Sequence, residues 1–205
     1  MKALRATVCP LSAALLCTAL LLTACASVKV ERTDEGEAID LSGYWNDTDS
    51  RLVSEEMIQD SMSRSWLTDF RDAHGQPPRV IVGTVRNESH EHLNTQTFVK
   101  DLERAYVNSG RVRLVASSSE RGEIRSERDD QSRHSSLETA KSHVLERAAD
   151  FMLQGQINTI LDSAGKEQVR FYQVELELLD IESNEKVWIG QKKLKKVVTR
   201  SRLGF

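Results

Sequence analysis

The spacing of apolar residues in the first half of the chain predicts two amphipathic helices separated by a short strand. Over "LVSEEMIQDSMSRSWLTDF" an apolar residue recurs at about every fourth position, which predicts one helix with a single apolar stripe. Asp49 or Ser50 is expected to cap this helix, and Gly75, followed by two prolines, is expected to end it. The stripe consists of Ile58, Met62, Trp66, Leu67 and Phe70.

The strand between the two helices is "RVIVGTV", whose β-branched residues are typical of a buried strand. The segment "NTQTFVKDLERAYVNSG" predicts the second helix, with Asn94 or Thr95 as its N-cap and Gly110 just beyond its end. "RVRLV" then predicts a second short strand. The expected buried face of the second helix carries Phe98, Leu102, Ala105, Tyr106 and Ser109.

Two further helices are expected in the middle of the chain. In "SSSERGEIRSERDDQSRHSS" the single large apolar residue is Ile124, so we expect an exposed helix. Ser136 then opens a segment with helical periodicity. Its apolar face consists of Leu137, Ala140, Val144, Leu145 and Ala148.

The last third of the chain alternates between apolar and polar residues, which is the period of β-strands. One strand is expected to place Phe151, Leu153, Gly155 and Ile157 on one side. The next is expected to bury Tyr172, Val174, Leu176 and Leu178, and to expose Arg170, Gln173, Glu175 and Glu177. A turn at residues 182–185 leads to an antiparallel strand that carries Lys192, Lys193, Lys195 and Lys196. The element order predicts an α/β fold, a small sandwich with a mixed sheet of about four to five strands flanked by helices.

The N-terminus has the pattern of an exported lipoprotein. Lys2 and Arg5 precede a long uncharged run, which ends in the sequence Leu-Thr-Ala-Cys at Cys25. This ending matches the bacterial lipobox, in which small residues admit the peptidase and the cysteine thiol receives the lipid. We therefore expect a signal peptide over residues 1–25, a lipid on Cys25, a flexible tether over 26–43 and a globular domain over 44–205. The alternative is an uncleaved N-terminal membrane helix, since the run is long enough to span a bilayer.

Charge and cysteine content narrow the function further. The net charge of −3 implies no bulk attraction to nucleic acid. After Cys25 the chain has no cysteine, which excludes disulfides, a cysteine nucleophile and a cysteine-based metal site in the expected domain. Ala26, where an aspartate would favour the inner membrane, favours the outer membrane.

The stretch "VRNESHEHLNTQTF" offers the most concentrated candidate chemistry. Glu88, His90, Glu91 and His92 could supply metal ligands or acid/base groups, but no third histidine stands at a motif spacing and no catalytic motif is found. We favour a solvated strand-to-helix loop that serves as a contact surface. Its candidate contact residues are Arg86, Asn87, His90 and His92.

Two other features have alternative interpretations. The lysines of "QKKLKK" either protect an edge strand from pairing, which we favour, or bind an anionic surface. Tyr44 and Trp45 form either a latch over the core, which we favour, or an exposed contact patch.

The motifs "RVIVGTVRNES" and "RAADFMLQGQIN…YQVELELLDIESNEKVWIGQKKLKK", behind a lipobox, resemble the LpoB family. The resemblance implies a TolB-N-terminal-like α/β domain without enzymatic activity or a cofactor. It also implies an outer-membrane lipoprotein that faces the periplasm and activates a peptidoglycan synthase, a class A penicillin-binding protein. Of the family's functional residues, only the lipidated cysteine is carried over, to Cys25. The related alternative is an envelope assembly or scaffold lipoprotein, similar to TolB-like or curli-secretion-like proteins.

Enterobacterial members of this family have a long proline-rich tether, whereas the tether here is short and charged. Fully extended, it would reach some ~50 Å.

Overall fold

The computed structural model describes residues 31–34, 36–136, 139 and 146–199. The residues from Ala38 onward form one compact unit, and the few described residues before it form a turn in which Glu37 N donates to Asp34 O. The helices are α1 (Asp47–Met62), α2 (Ser65–His74), α3 (Thr95–Ser109) and α4 (Ser118–His134). The strands are β1 (Arg79–Glu88), β2 (Arg113–Leu114), β3 (Phe151–Ala164), β4 (Glu167–Asp180) and β5 (Lys186–Thr199).

The five strands form one mixed sheet in the order β2-β1-β3-β4-β5. β1 runs parallel to β2 and β3, and β3, β4 and β5 form an antiparallel meander of long strands. The parallel pairs are joined through segments that contain helices, as parallel strands require. This architecture confirms the predicted α/β fold with a mixed sheet.

The hydrophobic core lies between one face of the sheet and helices α1 and α3. Alternating residues of β1, β3 and β4 supply the sheet side, as the period of two predicted. Burial of each large aliphatic side chain contributes roughly 1.5–3 kcal/mol. The fully buried side chains of this layer include Val53, Val80, Phe98, Leu102, Tyr106, Leu153, Ile157, Val174, Leu176 and Leu178.

The single first helix of the sequence prediction is wrong, because the structure has two helices there. Helix α1 ends at Met62, and α2 begins at Ser65. At the break the Ser61 carbonyl accepts from the Arg64 backbone N–H at 3.2 Å and from the indole of Trp66 at 2.8 Å. The Trp66 ring then packs edge-on against Phe151. The stripe residues therefore lie on two short helices rather than on one continuous helix, and Phe70 is only partly buried.

The cap of α1 also differs from the prediction. Asn46 is the N-cap, and its side-chain oxygen accepts from the Asp49 backbone N–H at 3.0 Å. The Asp49 carboxylate in turn accepts from the Asn46 backbone N–H at 3.0 Å. This reciprocal pair is a capping box, so Asp49 completes the cap from inside the helix.

Helix α3 follows its sequence signals closely. The Asn94 side chain accepts from the Gln96 backbone N–H at 3.1 Å, which confirms the expected cap. Gly110 ends the helix in the left-handed region, with φ of 63°.

Helix α4 has no buried residue, as the sequence predicted. Its first turn is held by a capping box between Ser117 and Glu120, and Glu120 also accepts a 2.8 Å bond from Lys100 of α3. Of the helix expected over Leu137–Ala148, the structure describes residue 139 and residues 146–148, and the last three are not helical; the remaining residues lie outside the described part of the chain. So do the signal peptide and Cys25.

The lysine-rich strand β5 is an edge strand, as expected. Its lysines divide between the two faces of the sheet. Lys192 pairs with Glu56 and Lys196 pairs with Asp49, so both contact the first helix, whereas Lys193 and Lys195 are exposed on the opposite face. Trp188 adds a further link, because its indole donates to Asp60 at 2.8 Å.

Candidate functional site

The β1–α3 loop begins where β1 ends and closes on itself through Asn87. The Asn87 side-chain oxygen accepts from the Ser89 backbone N–H at 3.0 Å, and its amide nitrogen donates to the Glu91 carbonyl at 2.8 Å. Asparagine commonly bonds the backbone two residues ahead in this way. The loop is therefore an ordered turn rather than a loose connection.

Glu91 anchors this loop in the protein interior. Its carboxylate lies 2.9 Å from the guanidinium of Arg170 and accepts from the Tyr172 hydroxyl at 2.7 and 2.8 Å. The side chains of Glu91 and Arg170 are 6% and 4% exposed, so the ion pair is buried. Burial, together with the hydrogen bond to Glu91, raises the pKa of the Tyr172 phenol.

The outward orientation expected for Arg170 is therefore wrong. Arg170 lies two and four positions before Tyr172 and Val174 on β4, so its side chain points to the same side of the sheet as theirs, which is the helix side. A charged residue can occupy that position because Glu91 neutralises it. The sequence pattern of β4 alone could not reveal a partner 79 positions away.

Tyr44, which is 49% exposed, and Trp45, which is partly buried, cover this cluster from the segment before α1. The Arg170 guanidinium lies 3.4 Å from the centre of the Tyr44 ring. The Trp45 ring packs edge-on against Tyr172 and Phe98, with centroid distances of 5.6 and 5.9 Å. These contacts support the interpretation of the two aromatic residues as a latch over the core.

The candidate contact residues Arg86, Asn87, His90 and His92 are all exposed. They do not converge on one point. Arg86 reaches Gln156 at 3.2 Å, whereas the His90 backbone N–H donates to the Thr159 hydroxyl at 3.1 Å on the helix side of the sheet. Among the described residues, no group of three or more histidine, cysteine, aspartate or glutamate residues could hold a metal ion.

A polar surface that the sequence alone does not predict adjoins Arg86. The strand register aligns Arg86, Gln156, Glu175 and Gln191 in one row across β1, β3, β4 and β5. Gln156 donates to Glu175 at 3.0 Å, and Gln191 donates to the same carboxylate at 3.1 Å. The outward positions expected on β4 supplied part of this row, but the row itself depends on the register of four strands.

Two neighbouring rows extend this surface. One row contains Glu88, Asn158, Gln173 and Lys193, and the other contains Gln154, Glu177 and Ile189. We call the side chains of these three rows the open face, because α1 and α3 pack on the opposite side of the sheet. A depression of about 620 Å³ lies on it, lined partly by Thr84, Gln154 and Lys186.

Hydrogen bonds hold the centre of the open face in place. Glu175 accepts from Gln173 at 2.6 Å in addition to its two bonds within the row. These amide donors hold the pKa of the Glu175 carboxyl below its ordinary value, and the hydrogen bond from Gln173 has the largest effect. The carboxylate is therefore charged and fixed at neutral pH.

No helix in the described part of the chain is both long and apolar enough to cross a membrane. A search of the curated proteins found no match to the chain. The model of the family described as "Peptidoglycan-synthase activator LpoB" matches residues 49–194, from the first turn of α1 into β5.

Solved structures similar to this chain include two LpoB C-terminal domains. The domain from Escherichia coli is 15% identical, with 70% of this chain and 98% of that chain covered and a TM-score of 0.38. The domain from Salmonella enterica is 14% identical, with 63% and 93% covered and a TM-score of 0.35. A lipoprotein from Neisseria meningitidis is 12% identical, with 62% and 88% covered and a TM-score of 0.38. Because the family model matches well over half of its length, the chain belongs to the LpoB family of peptidoglycan-synthase activators.

Proposed function

We propose that this protein is a lipid-anchored regulator that binds and activates a class A penicillin-binding protein, without catalysing a reaction itself. The observation that carries this proposal is the family match over residues 49–194, which spans the sheet and its packed helices. An activator of this kind works by binding the active state of its partner more tightly than the inactive state.

The lipobox sequence supports anchoring through a lipid on Cys25, and Ala26 favours the outer membrane, with the domain facing the periplasm. Residues 26–43 then act as the tether between the lipid and the globular domain over 44–205. A tether that reaches about 50 Å when extended sets how far the synthase can stand from the outer membrane. Replacement of Cys25 by serine should abolish metabolic labelling with palmitate and release the protein from the membrane fraction.

The end of β1 and the loop that follows it form the proposed contact surface, through Arg86 and Asn87 of the strand and His90 and His92 of the loop. Its exposed residues are presented by a backbone that Asn87 and the buried Glu91 hold in one conformation. An ordered loop loses little conformational entropy on binding, which favours a specific contact. The buried Glu91–Arg170 pair is thus a support for the contact surface rather than part of it.

The proposal is tested by retention of class A penicillin-binding proteins on the immobilised protein, followed by an assay of glycan polymerisation. We expect one synthase to be retained and stimulated, and expect R86A and H92A to weaken the retention. K166A is the matched control, because Lys166 is an exposed cation in the β3–β4 turn, away from the loop. Retention of no class A synthase would overturn the proposed function.

A further inference from the structure

The open face combines a dense set of hydrogen-bonding groups with a balance of charge. Cations and anions of this surface form ion pairs. Arg86 lies 3.6 Å from Glu88, and Lys186, at the rim, lies 2.7 Å from Glu177. Glu175 is held by amide donors and by the nearby charge of Lys193. A surface whose charges are neutralised internally offers little attraction to a strongly charged ligand.

The amides of the open face keep hydrogen-bonding capacity for a ligand. Gln173 and Gln191 use their amide nitrogens on Glu175, so their carbonyl oxygens remain without a partner in the described residues. Gln154, at the edge of the depression, has no side-chain hydrogen bond to any described residue. Each amide both donates and accepts, so the surface complements groups that do the same.

An apolar shelf adjoins these polar rows. The register places Ile160, Phe171 and Lys195 in the next row of the same face. Ile160 is 63% exposed, and Phe171 is half-buried beside it. Two neighbouring apolar side chains next to fixed amides suit a ligand that has both a polar edge and an apolar face.

We propose that the open face binds an uncharged oligosaccharide. Sugar hydroxyl groups donate and accept hydrogen bonds, as the amides of Gln154, Gln156 and Gln173 do. The less polar face of a sugar ring can pack on Phe171 and Ile160. The four strands of the central row span about 15 Å across the sheet, which suits a short linear chain rather than a single small molecule. Glu175 holds the amides of Gln156 and Gln173 before binding, so a ligand would not have to order these two groups.

The test is a titration of the isotope-labelled full-length protein, in detergent, with the tetramer of N-acetylglucosamine. The choice of this probe rests on the proposed function. We expect a dissociation constant of about 1 mM. The side-chain amide signals of Gln154, Gln156 and Gln173 should shift during the titration. The variants Q156A and Q173A should each weaken binding by about three- to tenfold, because each removes a hydrogen-bonding group.

Q96A is the matched control, because Gln96 is an exposed glutamine in the first turn of α3. It should leave the affinity unchanged, and the backbone spectra of all three variants should match that of the parent protein. The absence of any side-chain amide shift at 10-fold excess over the expected constant, ~10 mM, would overturn the proposal. Equal affinity in Q156A, Q173A and Q96A would also overturn it.

The same variants separate this inference from the proposed function. Loss of synthase retention in Q156A, with no glycan binding by the parent protein, would show that the open face docks a protein instead. Glycan binding in a protein that retains no synthase would support the inference while the proposed function fails.

Discussion

The carboxylate of Glu91 and the guanidinium of Arg170 lie 2.9 Å apart, although 79 positions separate them in the chain. The first belongs to a loop that looks like exposed polar sequence, and the second belongs to a strand position expected to face solvent. Their pairing fastens the β1–α3 loop to the sheet. It also leaves the neighbouring exposed residues on a fixed backbone.

The substitution E91A should lower the free energy of unfolding by about 3–5 kcal/mol, because it leaves the buried charge of Arg170 without a partner. Denaturation by urea, followed by circular dichroism, measures the change. E88A is the matched control, since Glu88 is an exposed carboxylate three residues earlier whose contact with Arg86 is at the surface. It should change stability by less than ~1 kcal/mol. Equal effects of the two substitutions would contradict the anchoring role of Glu91.

The double substitution H90A/H92A should leave the domain folded. The backbone bond from residue 90 to Thr159 survives the change, and His92 is exposed. Loss of the 3.2 Å contact between the His90 ring and Thr159 should cost about 1 kcal/mol. Thermal unfolding checks this expectation. If the domain unfolded, the histidines would be structural, and the proposal of a contact loop would lose its main support.

A methyl group at Gly190 should be costly, because it would lie 2.1 Å from the ring of Trp188. We expect G190A to lower the free energy of unfolding by about 1–3 kcal/mol through overpacking. At Gly122, within α4, an added methyl would meet no described atom within 4 Å beyond the neighbouring residues and the backbone of its own helix. G122A should therefore raise stability by about 0.5–1 kcal/mol, as alanine does in a helix. If Trp188 packs on Gly190 as described, chemical denaturation should show changes of opposite sign in the free energy of unfolding of the two variants.

Acid should weaken the contact between α3 and α4. The hydrogen bond from Lys100, together with those from Ser117, lowers the pKa of Glu120 from 4.5 to about 2. The stability that comes from this carboxylate is fully present above its unfolded-state pKa, and it is lost as the pH falls through about 2. The free energy of unfolding should therefore fall less steeply between roughly pH 5 and pH 2 in E120Q than in the parent protein. Parallel pH profiles would contradict the shifted pKa.

Local signals in the sequence were sufficient for much of the fold. Asn94 and Gly110 mark the two ends of a helix, because each satisfies backbone groups at a helix end, whatever the rest of the chain does. The alternation in β4 identified the buried side chains from Tyr172 to Leu178, because strand side chains point to opposite faces in turn. These rules act over a few residues, so one sequence is enough to apply them.

The misread features depend on distant partners. The break between α1 and α2 is stabilised by Trp66, whose indole donates to the Ser61 carbonyl and whose ring packs on Phe151. Arg170 is buried because Glu91 reaches it from another element. The row from Arg86 to Gln191 exists only through the register of four strands, which no local pattern specifies.

The rate of glycan-strand synthesis by a purified class A penicillin-binding protein, with and without this protein, tests the central claim most directly. We expect the rate to rise in proportion to the fraction of synthase bound, and to rise less with R86A at the same protein concentration. An unchanged rate under conditions in which the two proteins form a complex would contradict the assignment as an activator.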